Sequence, residues 1–112
     1  MEDIMKKFDE SYILLKEMYN DGYFPDFLVD KVKELIYPVI ALLESGEKNK
    51  DIIQAQLDKM TLAINDLQEE FEDNDSEIET VARDSIGVTV EYILKWFDID
   101  IDIEDAIGER DW

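Results

Sequence analysis

The sequence predicts an all-α fold, an antiparallel four-helix bundle with a docked C-terminal extension and a short terminal helix. Three observations carry that prediction. Apolar residues recur at steps of three and four through most of the chain. Turn-forming residues interrupt the rhythm at Asn20-Asp21-Gly22, Ser45-Gly46 and Asp73-Asn74-Asp75. The connections between the periodic segments are short, which favours an up-down-up-down arrangement.

The first predicted helix runs from about Asp3 to Asn20, with Ile4, Phe8, Tyr12, Leu15, Met18 and Tyr19 on one face. Pro25 stands where a second helix, about Asp26–Glu44, can begin. From Leu35 that helix is apolar nearly all round, so it is expected at the centre. Pro38 removes one backbone donor inside it, which predicts a kink rather than two helices. The third helix, about Lys50–Glu72, carries the stripe Ile53, Leu57, Met60, Ile64, Leu67 and Phe71, the seam of an antiparallel bundle. Ser76 and Glu79 have the S-x-x-E spacing of a capping box opening the fourth helix. Its predicted inner face is Ile78, Ala82, Ile86, Thr89, Ile93 and Trp96, and Gly87 reads as a close helix approach or a local weakness. From about residue 99 a strand-like tail places Ile99, Ile101 and Ile103 on one side, followed by a short helix from about Glu104. Trp112 is expected to dock that extension. All of residues 1–112 read as one helical domain.

The composition excludes several classes of function. Eleven basic and 30 acidic residues give a formal net charge of −19, with no cysteine and no histidine. Disulfide frameworks, zinc fingers and Ser-His-Asp or Cys-His machinery are therefore ruled out. The acidic balance argues against direct nucleic-acid binding and against anionic membrane surfaces. The longest apolar run, Leu35–Leu43, is far short of the roughly 20 residues of a membrane span. The N-terminal residues lack a signal-peptide apolar stretch, so a cytoplasmic protein is expected. No residue pattern requires a cofactor.

Several segments taken in order resemble a small bacterial family of unknown function. They are Met18-Tyr19-Asn20-Asp21-Gly22-Tyr23-Phe24-Pro25, Leu28-Val29-Asp30-Lys31, Glu70-Phe71-Glu72, Ser76-Glu77-Ile78-Glu79-Thr80, Ala82-Arg83 and the terminal Arg110-Asp111-Trp112. The resemblance spans most of the chain and implies a single-domain bacterial protein, with no activity attached.

Three acidic patterns and one aromatic cluster are candidates for function. Eight carboxylates fall within Asp66–Glu79. Much of that run is ordinary helix-face solvation, and Glu79 and Arg83 are spaced for a surface ion pair. Its functional reading is an anionic face, with Glu69, Glu70, Glu72 and Asp73 receiving a basic protein. An immunity-type inhibitor of a basic toxin is one concrete version. Asp98, Asp100, Asp102 and Glu109 match positions 1, 3, 5 and 12 of a calcium-binding loop. Ile103 stands where that loop needs glycine, so these are weak metal ligands. Glu44-x-x-Glu47 and Glu70-x-x-Asp73 match the paired motifs that hold magnesium in all-α nucleotide pyrophosphohydrolases. Ser45-Gly46 ends the helix inside the first pair, so a metal-dependent hydrolase is the alternative to a non-enzymatic interaction module. The cluster Tyr19, Tyr23, Phe24 and Phe27 is expected to pin a loop on the core rather than line a pocket. The only arginines, Arg83 and Arg110, are expected to pair with acids.

Overall fold

A computed structural model describes residues 6–112. It is all-α, with helices α1 (Lys16–Asn20), α2 (Asp26–Glu44), α3 (Lys50–Asp73), α4 (Thr80–Trp96) and α5 (Ile103–Ala106), and the described residues contain no strand. The radius of gyration is 14.1 Å and the extents are 51 × 28 × 18 Å. That is longer and flatter than a sphere, because α3 alone spans about 36 Å at 1.5 Å per residue.

Helices α2 and α3 form a hairpin around one core. Leu28, Val32, Ile36, Val39 and Leu43 of α2 are buried, as are Ile53, Leu57, Met60, Ile64 and Phe71 of α3. The backbone N–H groups of Leu28 and Val29 donate to the Pro25 carbonyl, so proline opens α2 where its missing N–H costs nothing. Pro38 lies inside a continuous helix. Tyr37, Pro38 and Ala41 are exposed, so α2 keeps a solvent face and is not the central element that its composition suggested. Gly46 ends α2 at φ 94°, a backbone that other residues rarely adopt. Asn49 then caps α3, its side chain accepting from the N–H groups of Asp51 and Ile52.

The first expected helix is mostly absent. Its start, including Ile4, lies outside the described residues, and residues 6–15 are irregular, with helix only from Lys16. Local side-chain bonds compete with the helix here. The Asp9 carboxylate accepts from both the backbone N–H and the hydroxyl of Ser11, at 2.9 and 2.6 Å. Leu15 is fully buried in the left-handed region at φ 57°, its N–H donating to Thr89 Oγ1. The periodic residues still pack, though not along a helix face. Phe8, Tyr12, Tyr92 and Trp96 form an aromatic cluster in which the Tyr12 and Tyr92 rings stack at 3.9 Å.

The expected capping box at α4 does not form. The helix begins at Thr80, Glu79 makes no side-chain cap, and the Ser76 hydroxyl donates instead to the Tyr23 carbonyl at 3.1 Å. That bond ties the α3–α4 turn to the turn before α2. An added Cβ at Gly87 would meet nothing within 4 Å, so this glycine does not serve a close helix approach.

The C-terminal extension docks as expected. Ile99, Ala106, Ile107 and Trp112 are buried, and Ile101 and Ile103 pack half-buried beside them. Three amide side chains of α3 hold the extension's backbone and Asp111 in register. Gln54 donates to the Asp105 carbonyl and Asn65 to the Glu109 carbonyl, each at 2.9 Å, while Gln68 donates to the Asp111 carboxylate. The extension therefore runs parallel to α3.

Candidate functional site

The acidic run Asp66–Glu79 folds into one end of the molecule. It comprises the last turns of α3, the turn that closes them, and the N-cap of α4. The turn is a Schellman motif. Asp75 takes the left-handed conformation at φ 59°, the Asp75 N–H donates to the Glu72 carbonyl, and the Ser76 N–H donates to that of Phe71. Phe71 is fully buried and anchors this end, with its ring against Phe24 at 6.5 Å. Around that anchor Glu69, Glu72, Asp73, Asp75 and Glu77 are exposed. Glu70 is half-buried, and Lys31 Nζ lies 2.6 Å from its Oε2. The structure thus brings Glu69, Glu70, Glu72 and Asp73 together within the last five residues of α3.

The electrostatics of this end are predominantly negative, with Lys31 against Glu70 as a counter-charge. No basic residue occupies the last turn of α3, so its carboxylates sit beside the partial negative charge of the helix C-terminus. Partial desolvation raises the Tyr23 hydroxyl above its ordinary pKa of 10.0, and the negative charges of Glu77 and Glu79 push it further. Among the described residues Arg83 forms no ion pair with Glu79; the two share only the backbone bond from the Arg83 N–H to the Glu79 carbonyl.

The calcium-loop geometry is not present. Asp98 is the left-handed residue that closes α4, with the Ile99 N–H donating to the Leu94 carbonyl at 2.8 Å and the Asp98 N–H to that of Lys95. Asp102 caps α5 by accepting from the Glu104 N–H at 2.9 Å. Asp100 is fully exposed and lies 3.9 Å from Lys50 Nζ. Glu109 is exposed beyond α5, and no three acidic side chains among the described residues converge to hold a metal ion. Asp98 thus terminates α4 and Asp102 starts α5.

The paired acidic motifs are likewise separated. Glu44 accepts from the Phe8 N–H and Glu47 from the Asn49 N–H, both near the α2–α3 turn. Glu70 and Asp73 lie at the far end of α3, about 30 Å away along the helix. They share no site. In the aromatic cluster, Phe24 is buried as expected and the Tyr19 hydroxyl donates to Asp30, but Tyr23 and Phe27 are exposed.

Two arrangements escaped the sequence reading. One is an open depression of about 560 Å³ lined by Phe8, Tyr12, Tyr19, Lys33, Tyr37 and Glu44. The other is a groove between α4 and α5 that receives both arginines. Their residues are scattered through segments that read as helix faces or turns; the sequence marks Tyr19, Glu44, Gly87 and the two arginines one by one, and nothing in their spacing brings them together.

Residues 8–112 match the family of unknown function DUF5713. The chain belongs to that family. No curated protein and no solved structure matches it. The DUF5713 match includes the acidic end, the groove and the extension through Trp112, so all three lie within the family's extent. Among the described residues no helix is long and apolar enough to cross a membrane.

Proposed function

We propose that this DUF5713 protein is a non-enzymatic interaction module whose acidic end receives a basic protein. The observation that carries the reading is the placement of Glu69, Glu70, Glu72 and Asp73 at the C-terminus of α3, with no base in the last turn. Negative charge at that end opposes the helix dipole, at a cost of about 0.3–1 kcal/mol for each exposed carboxylate at low ionic strength. Solubility alone needs no such placement, since carboxylates on the flanks or first turns of the helices would serve it without that cost. A cationic partner would convert the cost into binding energy and would be steered to this end during encounter. An inhibitor that masks a basic toxin is the concrete form that charge and size favour.

The test is comparative capture with the full chain and with a variant carrying Glu69→Gln, Glu70→Gln, Glu72→Gln and Asp73→Asn. The wild type should retain a basic protein at low salt and release it as salt rises, and the variant should retain none. Recovery of the same proteins by both would refute the acidic end as the binding face.

A further inference from the structure

The open depression of about 560 Å³ is walled by four aromatic residues, Phe8, Tyr12, Tyr19 and Tyr37. An aromatic ring carries negative charge on its face and draws a cation there. The protein already uses one of these rings in that way. Lys33 Nζ stands 5.1 Å from the centroid of the Tyr19 ring. Tyr37 is 46% exposed, and no lysine or arginine among the described residues stacks on it.

The charges of the wall agree with the rings. Asp9, Glu10 and Glu44 line the depression against the single ammonium of Lys33. Asp9 is held by Ser11 and Tyr92. Glu44 is half-buried, and its Oε2 accepts from the Phe8 N–H at 2.8 Å. No lysine or arginine among the described residues pairs with it. It also ends α2, whose last turn carries no base and whose final carbonyls hold partial negative charge. Tyr37, Ala41 and Glu44 follow one another along one face of α2, so a ring, a methyl and a carboxylate share one wall. No three carboxylates among the described residues converge as a metal ion requires. The cation that suits rings beside a lone carboxylate is a weakly hydrated organic one.

We propose that the depression between the N-terminal segment and α2 binds a small quaternary ammonium, its head over Ala41 between the Tyr37 ring and the Glu44 carboxylate. Ala41 has the shortest side chain in the wall and leaves the room for it. Lys33 occupies the Tyr19 ring and repels the ligand, which limits the affinity. The wall from Tyr37 to Glu44 lies along the half of α2 that runs to the α2–α3 turn, away from the acidic end. Its occupancy requires no basic partner.

The probe is choline, titrated into the ¹⁵N-labelled full chain with sodium chloride holding the ionic strength constant. Its uncharged carbon isostere, dimethylbutanol, and phosphocholine serve in parallel arms. The expected result is a saturable shift of the Tyr37, Ala41 and Glu44 amides with choline, at a dissociation constant of about 10 mM or tighter. Dimethylbutanol should bind about fivefold or more weakly, because it lacks the charge that the rings attract. Phosphocholine should also bind more weakly than choline, since its phosphate meets the same carboxylates. Tyr37→Leu puts a helix-compatible apolar side chain at an exposed position, so the fold should persist while choline weakens about threefold. Glu44→Gln keeps an acceptor for the Phe8 N–H and should weaken choline by removing the charge. Lys33→Gln should tighten it by removing the competing ammonium. The proposal is overturned if choline gives no saturable shift up to about 50 mM. It is overturned equally if dimethylbutanol or phosphocholine binds as tightly as choline, if Tyr37→Leu binds choline unchanged, or if Lys33→Gln weakens it. Shifts of the same size at residues 69–79 would make choline a general counter-ion of the −19 charge, which also overturns it.

Discussion

Asp9 shows what single carboxylates do in this acidic chain. It accepts from the Ser11 hydroxyl and N–H and, at 2.6 Å, from the Tyr92 hydroxyl, so it holds the irregular N-terminal segment against α4. The Ser11 hydroxyl bond, followed by the Tyr92 bond, lowers the Asp9 pKa from its ordinary 3.8. The Asp9 bond in turn raises the Tyr92 pKa above 10.0. A lowered carboxylate contributes stability that is present above its unfolded value and lost as pH falls through the folded one. A raised phenol contributes stability that is present below 10.0 and lost as pH rises through its folded value. The clasp should therefore be intact between about pH 4 and pH 10 and open on either side. Carboxyl NMR should place the Asp9 midpoint below 3.8, and Tyr92→Phe should move it upward while Ser11 keeps part of the shift. An unchanged midpoint in Tyr92→Phe would break the clasp. Asp98 and Asp102 make the same point about residues, since their alternation read equally well as a metal loop. Backbone capping is the work they do, and sequence spacing cannot separate a ligand from a cap when both want an oxygen at a turn.

At the scale of elements, the α3 stripe is the most exposed claim. Ile64 is fully buried, so Ile64→Asp should unfold the domain, because an unpaired buried carboxylate costs several kcal/mol against a total stability of about 5–15 kcal/mol. A folded variant with an unchanged melting temperature would contradict the register of the hairpin. Truncation after Asp98 removes Ile99, Ile107 and Trp112 from the core along with the amide bonds from Gln54, Asn65 and Gln68. Each large apolar side chain buried is worth about 1.5–3 kcal/mol, so the loss should reach several kcal/mol in urea unfolding. Equal stability would show the extension to be a solvated arm. The bounds of α2 and the stripe of α3 were legible because apolar periodicity and turn residues agree there. The first helix misled because its apolar spacing survives in an irregular segment, where Asp9, Ser11 and the left-handed Leu15 override it. The capping box misled because Ser76 finds a tertiary acceptor in Tyr23, which no local pattern can reveal. Of the candidate site, the four carboxylates were legible as one helix end. The groove was not, because it is assembled by the docking of α5 on α4.

For the whole molecule, a net charge of −19 on a body 51 × 28 × 18 Å dominates solution behaviour. Like charges repel within a Debye length of about 10 Å at 0.1 M salt, so thermal stability should rise between low and physiological ionic strength. A melting temperature indifferent to salt would mean that local pairs such as Lys31–Glu70 absorb the repulsion. Neutralising Glu69, Glu72 and Asp73, which leaves the Lys31–Glu70 pair intact, should itself stabilise the chain by about 1–2 kcal/mol at low salt, through relief of the α3 dipole. The carboxylates at that end are thus expected to weaken the free protein and to strengthen its complex. Amide hydrogen exchange on the wild-type chain with the basic protein it captures tests this most directly. Protection should appear across residues 69–79 and leave the exposed α2 face around Tyr37 unchanged. Protection elsewhere, with residues 69–79 exchanging as in the free protein, would contradict the account.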